Sequence, residues 1–309
     1  MSHAAANSFI RDGNHSGRCV ARRDAHAIIA CESCGFKHAL PLPDAHDLER
    51  AYREEYYANE KPTFLTHAGE DQAWAQLAQT DRLEIFESLL PPDCRRLLDI
   101  GCGPGFFLET AMRRGWLAQG IEPSRQAAAH ARGLGAIVTE GFFNAGSAAT
   151  LGRFDAVHLN NVLEHIPDPT HLIQLTYGLL ESGGLICINV PNDFSPLQIA
   201  AMAAASTNDW WVAPPHHLNY FDFESLTALL ARLGFAPKAR TTSFPMEAFL
   251  MMGENYVGDP ALGRACHNRR KKFDLAFENA GLKETRRAFY RALAEAGLGR
   301  EAVVIAVKP

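Results

Sequence analysis

Apolar and polar positions alternate along this chain with two periods, and the switches between them mark most of its elements. Short apolar runs at 97–101, 117–121, 135–139, 154–159 and 185–190 read as buried strands. Amphipathic stretches lie between them: one ending at Arg114, one from Ser124 to about Leu134, and one from Asp168-Pro169 to Gly183-Gly184. Aspartate is a good helix N-cap, and proline suits the first helical position. Asp222 opens a further helix that Gly234 ends, a strand over 235–242 follows, and a last strand spans 302–307. This alternation predicts an α/β fold: a Rossmann-like, seven-stranded, mostly parallel sheet with helices on both faces.

Upstream of that core, Asp44 caps a predicted helix running to about Tyr57. A longer helix covers about 70–89, and Pro91-Pro92 breaks it. Residues 1–17 are small, polar and aperiodic, and are expected to be mobile. Residues 245–299, between the last two strands, read as mostly helical. They are too many for a loop and predict an insert that covers the pocket mouth or pairs two subunits as a homodimer. The expected divisions are therefore 1–17, a cysteine-bearing module at 18–43, helices at 44–92, the core at 93–244, the insert at 245–300 and a final strand at 301–309.

Composition narrows the field. The 309 residues are 47% hydrophobic and 21% charged, an ordinary globular balance. A net charge of −5 supplies no basic field for nucleic acid. No apolar run approaches the roughly 20 residues of a membrane helix. Seven irregularly spaced cysteines and the lack of a signal-peptide-like start predict reduced thiols in the cytoplasm. Within the insert, Arg264, Arg269, Arg270, Lys271, Lys272, Arg286, Arg287 and Arg291 cluster. They read either as a solvated helix face offset by Asp274, Glu278 and Glu284, or as an anion site for a diphosphate.

The stretch Leu97-Leu98-Asp99-Ile100-Gly101-Cys102-Gly103-Pro104-Gly105 carries the chemistry. Strand, tight turn and helix follow one another, and glycines let a ligand lie against the backbone. The spacing Gly-x-Gly-x-Gly differs from the dinucleotide fingerprint, and no lysine follows, which excludes a P-loop. The next apolar run ends in Glu122, placed to take both hydroxyls of a ribose.

With Gly120-Ile121-Glu122-Pro123-Ser124, Phe154-Asp155-Ala156-Val157, Asn161 to Pro169 and Leu179 to Leu185, this stretch resembles the class I S-adenosylmethionine-dependent methyltransferases. The resemblance spans the middle half of the chain. It implies S-adenosyl-L-methionine as cofactor, with contacts from Asp99, Gly101, Cys102, Gly103, Gly105, Glu122, Pro123, Phe142, Asn160 and Asn161. Phe142 or Phe143 would sandwich the adenine, or pack in the core.

The acceptor side holds two histidine sites. His165 lies just past a strand end in Leu163-Glu164-His165-Ile166 and reads as mainly structural. The stretch Pro214-Pro215-His216-His217-Leu218-Asn219 resembles the Glu-His pair of deoxysugar C-methyltransferases, with His217 in the place of the base and His216 in place of the acid. The same pair could simply order its loop. Trp210 and Trp211 offer a stacking surface for a sugar, or belong to the core. Near the N-terminus, Cys31-x-x-Cys34-Gly35 is a zinc-knuckle pattern. Cys19 and His15 could complete a structural Zn2+ site, with His26 and His38 as alternatives; free thiols are the other reading. The segment resembles the zinc module of sugar methyltransferases. A sugar acceptor, nucleotide-linked or in a glycan and methylated at oxygen or carbon, is therefore expected. The alternatives are a small-molecule O- or N-methyltransferase of secondary or quinone metabolism and a non-catalytic binding protein.

Overall fold

The structure is a computed structural model and describes residues 8–43 and 64–309. The helix expected after Asp44 and the aromatic pair Tyr56 and Tyr57, expected over the cofactor pocket, lie outside the described residues.

Four strands open the chain: β1 (Phe9–Asp12), β2 (His15–Arg23), β3 (His26–Cys31) and β4 (Lys37–Leu40). They pair antiparallel in order, with registers Ile10↔Gly17, Gly17↔Cys31 and Ile29↔His38. The expectation of a mobile stretch up to residue 17 is thus corrected for residues 9–12 and 15–17. Short polar strands carry little apolar alternation, and partners supply their order.

The 26-residue helix α1 (Phe64–Leu89) leads into the core. There follow β5 (Arg96–Ile100), α2 (Phe106–Arg113), β6 (Leu117–Glu122), α3 (Arg125–Gly133) and β7 (Ile137–Glu140). Next come α4 (Ala145–Thr150), β8 (Phe154–Asn160), α5 (Pro169–Leu179), β9 (Leu180–Pro191) and α6 (Pro196–Ala205). The strand β10 (Asn219–Tyr220), α7 (Phe223–Arg232) and β11 (Ala236–Thr241) bring the chain to the insert. That segment holds α8 (Glu247–Met251), α9 (Pro260–Asn279) and α10 (Lys283–Glu295), and β12 (Glu301–Val307) closes the sheet.

The larger sheet has seven strands in the order β11-β12-β9-β8-β5-β6-β7. Strands β5 to β9 are parallel, and β12 runs antiparallel between β9 and β11. Leu98, Val157, Ile186 and Val304 fill one face and Leu97, Ala156, Cys187 and Ile305 the other, with helices over both. Asp168 accepts from the amide of His171 and Asp222 forms a capping box with Ser225, as their helix-start pattern requires.

Two boundaries differ from expectation. Helix α5 stops at Leu179, before Gly183-Gly184, because Leu180 already pairs with Phe154 and is fully buried. The stretch after β7 contains α4, whose capping box of Asn144 and Ser147 lies among small residues that give no apolar period.

The smaller sheet is not a free-standing knuckle. It has five strands in the order β1-β2-β3-β4-β10, so a strand from beyond β9 completes it. Ile28, Ala39, Trp211, Val212 and Tyr220 make its private core.

Most of the basic cluster of the insert, Arg264, Arg269, Lys271, Arg286 and Arg287, is paired within the chain. Arg264 and Lys271 pair with Asp71, Arg286 and Arg287 with Asp81, and Lys283 and Arg287 with Glu84, all on α1. Arg269 pairs with Glu254. The diphosphate reading therefore gives way to an ionic seam between insert and α1. The offsetting acids lie mostly on α1, with Glu278 and Glu284 adding to them. Arg286 is 3% exposed and holds two carboxylates, which fixes the insert against the core.

Candidate active site

The carboxyl ends of β5, β6 and β8 open onto a cavity of about 540 Å³. The chain leaves β5 at Ile100 and turns at Gly101, where φ is +69° and a Cβ would come within 2.7 Å of Val162. At Gly105 φ is +86° and a Cβ would strike Ala131 on α3 at 2.5 Å. Gly105 serves the approach of two helices and is not among the residues lining the cavity, so its expected cofactor contact finds no support there.

Glu122 ends β6 and is almost wholly buried. One carboxylate oxygen accepts from the amide of Gly103 at 2.9 Å and the other from Ser124 at 2.8 Å. Burial nevertheless pushes its carboxyl up to about 7, with Asp99 adding to the rise. Donors from a ribose would offset that cost, since charge-assisted bonds favour the ionised form.

Beneath the glycine turn lies a network of buried polar groups. Asp99 accepts from Nδ1 of His158 at 2.8 Å, and His158 Nε2 accepts from Arg82 of α1 at 3.2 Å. Arg82 also donates to the Asn160 side-chain oxygen at 2.9 Å, as does Asn189 at 2.7 Å. Burial holds His158 below the usual imidazole value, so the ring is neutral and relays the carboxylate to the guanidinium. Phe107 stacks on it at 3.8 Å. Arg82, His158 and Asn189 escaped the sequence reading. A histidine inside the apolar run of β8 was the available signal, because a buried imidazole needs partners.

The cavity brings together Asp99, Gly101, Cys102, Gly103, Glu122, Pro123, Phe142, Phe143, Asn160 and Asn161, and His165 and His217 line it as well. Burial raises the Cys102 thiol, which stays protonated. Trp211 packs in the core of the smaller sheet and Trp210 lies against it; neither lines the cavity.

On the acceptor side His165 Nδ1 donates to the backbone carbonyl of His216 at 2.6 Å. His165 Nε2 stands 3.8 Å from Glu164, and the rings of His165 and His217 meet edge to face at 5.1 Å. One ligand atom each from Glu164, His165 and His217 falls within 4.8 Å of the others, a spacing suited to sharing a proton or a cation. His216 is exposed and outside the cavity lining, and what it gives the site is the backbone carbonyl that orients His165. Arg300 and Glu301, at the start of β12, also line the cavity and were missed; the fold alone brings them there.

A second cluster sits in the smaller sheet. His15, Cys31, Cys34 and His38 place one donor atom each within 4.8 Å of one another. Nδ1 of His15 is 3.4 Å from the Cys34 sulfur and 3.8 Å from that of Cys31. Tetrahedral zinc, with Zn–S of about 2.3 Å and Zn–N of about 2.0 Å, sets such edges at roughly 3.3–3.8 Å. His38 Nδ1 meets the Ala39 carbonyl at 3.1 Å, while its buried Nε2 has no hydrogen-bond partner. That orphaned nitrogen fits a metal ligand with its ring fixed from behind. Cys19 is not part of the group. It is fully buried on β2, its thiol donates to the Ala21 carbonyl, and a bulge interrupts the strand beside it. Burial, with Cys31 alongside, pushes the Cys34 thiol up to about 12, so metal uptake would release protons.

With this geometry in place, comparison with known proteins is informative. The methyltransferase-domain profile matches residues 50–239, more than half of the chain. The chain belongs to the methyltransferase family, in its class I, S-adenosylmethionine-dependent form. Among curated relatives, the ubiquinone biosynthesis O-methyltransferase of Histophilus somni is 30% identical over 32% of this chain and 45% of its own length. That of Ruegeria sp. (strain TM1040) is 32% identical over 47% of this chain and 62% of its own length. The chain thus spans about half the length of the curated relatives it matches. A methyltransferase of Archaeoglobus fulgidus shares the fold with TM-score 0.52 and 20% identity, covering 79% of this chain and 99% of that one. Magnesium protoporphyrin IX methyltransferase of Synechocystis, solved with S-adenosylhomocysteine, gives 0.50 and 12%, covering 86% and 100%.

Proposed function

We propose that this chain transfers the methyl group of S-adenosyl-L-methionine to a hydroxyl of a small-molecule acceptor. The observation that carries the reading is one cavity lined both by Glu122 and the glycine turn and by His165 and His217. When bound, the cofactor supplies a methyl group already activated by its sulfonium. Glu122 takes the ribose hydroxyls, Phe142 lies along the adenine, and Arg82, fixed by His158 and Asn160, faces the methionine carboxylate. His217 receives the acceptor proton as the new C–O bond forms and the S–C bond breaks. An imidazole is the side chain most often used for such a step.

Relatives named ubiquinone biosynthesis O-methyltransferases support an aromatic hydroxyl as the acceptor. A sugar hydroxyl or carbon is the second reading, favoured by the metal-ligating cluster built beside the acceptor wall. A structural Zn2+ ion held by His15, Cys31, Cys34 and His38 belongs to this proposal. So does a reducing, cytoplasmic setting, which the seven free cysteines support. No helix among the described residues is long and apolar enough to cross a membrane.

The test is S-adenosylhomocysteine release with a panel of catechols and a panel of nucleoside-diphosphate sugars. Turnover of catechols alone upholds the first reading and turnover of sugars alone the second. Tight S-adenosylhomocysteine binding with no turnover on either panel removes both.

A further inference from the structure

The metal-ligating cluster and the acceptor histidines lie in different sheets, yet a very short path joins them. His38 on β4 stands directly across from Asn219 on β10. The Asn219 side-chain amide donates to the carbonyls of Leu163 and Ile166 at 2.8 and 2.7 Å, bracketing Glu164 and His165. Beside it the amide of Leu218 donates to the Glu164 carbonyl at 2.7 Å, and the amide of Ala39 to the Leu218 carbonyl at 2.8 Å. His217 is the next residue up the chain, and His216 supplies the carbonyl that orients His165.

We infer that metal held by His15, Cys31, Cys34 and His38 sets the position of the acceptor wall, with Asn219 as the positioning residue that transmits it. The inference rests on the Zn2+ reading above. Three features carry it. The ligands come from β2, the end of β3, the following turn and β4, so one ion adds a cross-link among three strands beyond their hydrogen bonds and apolar contacts. The turn is also tied to the core: Arg232 of α7 donates to the Cys34 carbonyl at 2.7 Å and Phe36 packs on Phe221 at 4.9 Å. The pairing of β10 is only two residues long, with Asn219↔His38 as one of its pairs. A strand so short takes its position from what it pairs with.

Without metal, the cluster leaves the buried Nε2 of His38 unsatisfied and two thiols held only by weak contacts with each other and with His15. The cheapest relief is movement of β4, and β10 moves with it. Glu164, His165 and His217 then lose their mutual spacing. The glycine turn and Glu122 are built on β5 and β6 and stay in place.

The test uses the full chain, zinc analysis, calorimetry with S-adenosylhomocysteine and hydrogen exchange read at the amides of Ala39, Leu218, His165 and Ile166. The purified protein should carry about one Zn2+ per chain. Chelation should speed exchange at those amides by about tenfold or more and leave S-adenosylhomocysteine affinity within about twofold; added Zn2+ should restore protection. Asn219→Ala should keep its zinc and open His165 and Ile166 while Ala39 stays protected. A chain that neither carries nor takes up Zn2+ overturns the metal site and the coupling together. Zinc that can be removed with no change at Leu218, His165 and Ile166 overturns the coupling alone. Should chelation unfold the chain, Asn219→Ala decides: unchanged exchange at His165 and Ile166 overturns the inference.

Discussion

The two walls of the cavity are built in opposite ways. The cofactor wall comes from neighbouring strands, with Asp99, Gly101, Gly103 and Glu122 within 24 positions of one another and bonded through backbone amides. The acceptor wall is assembled from Glu164-His165, Pro191, His217 and Arg300-Glu301, held in part by a different sheet. Local construction makes a wall rigid and readable; assembly from distant pieces makes it adjustable and easily disturbed. Changes on the two sides should therefore separate binding of the cofactor from turnover.

The largest effect is expected from His217→Ala. Loss of a general base costs roughly 10²- to 10⁴-fold in kcat. S-adenosylhomocysteine affinity, measured by calorimetry, should not move, and parallel loss of both would merge the two walls into one unit.

Glu122→Gln comes next, weakening S-adenosylhomocysteine by about 2 kcal/mol through lost charge-assisted bonds. This site also carries a pH signature. Its carboxyl rises from 4.5 to about 7 in the folded chain, chiefly through burial. The folded state then holds the proton more tightly than the unfolded one, so apo stability falls as pH climbs from about 4.5 to about 7 and levels off above. Ribose hydroxyls prefer the carboxylate, so cofactor affinity should rise over the same window, with proton release seen in buffers of different ionisation enthalpy. In Glu122→Gln both slopes should flatten, because the amide does not titrate.

Smaller effects fall on the insert. Arg286→Ala leaves Asp81 and Glu278 without their buried partner and should lower stability by about 2 kcal/mol, leaving cofactor affinity unchanged. Lys283→Ala, whose side chain is 38% exposed in its pair with Glu84, should shift stability by less than about 1 kcal/mol in a denaturant titration.

The same contrast explains what could be read from the residues alone. The alternation of strands and helices, a turn at Gly101, the place of Glu122 at the end of β6 and the caps at Asp168 and Asp222 are local statements, and the structure agrees with them. Arg82 reaches the cavity from a helix that shares no motif with it, so no spacing could announce it. Bringing His38 rather than Cys19 beside His15, Cys31 and Cys34 took strand pairing: Ile29↔His38 and Gly17↔Cys31 decide which side chains share a face. The insert arginines looked available because their acids sit some 200 positions earlier on α1.

The placement of β12 bears on how the chain reaches this state. Its seven residues pair with β9 on one side and β11 on the other, so an interior place in the sheet is taken by the strand that comes last along the chain. Until 301–307 arrive, the apolar run Leu185-Ile186-Cys187-Ile188 stays open along one edge, and β11 waits without a neighbour. Loop closure over so long a separation is slow. An uncovered apolar edge is where chains stick to one another. Yield on refolding should therefore depend on protein concentration far more than the finished, well-buttressed sheet would suggest.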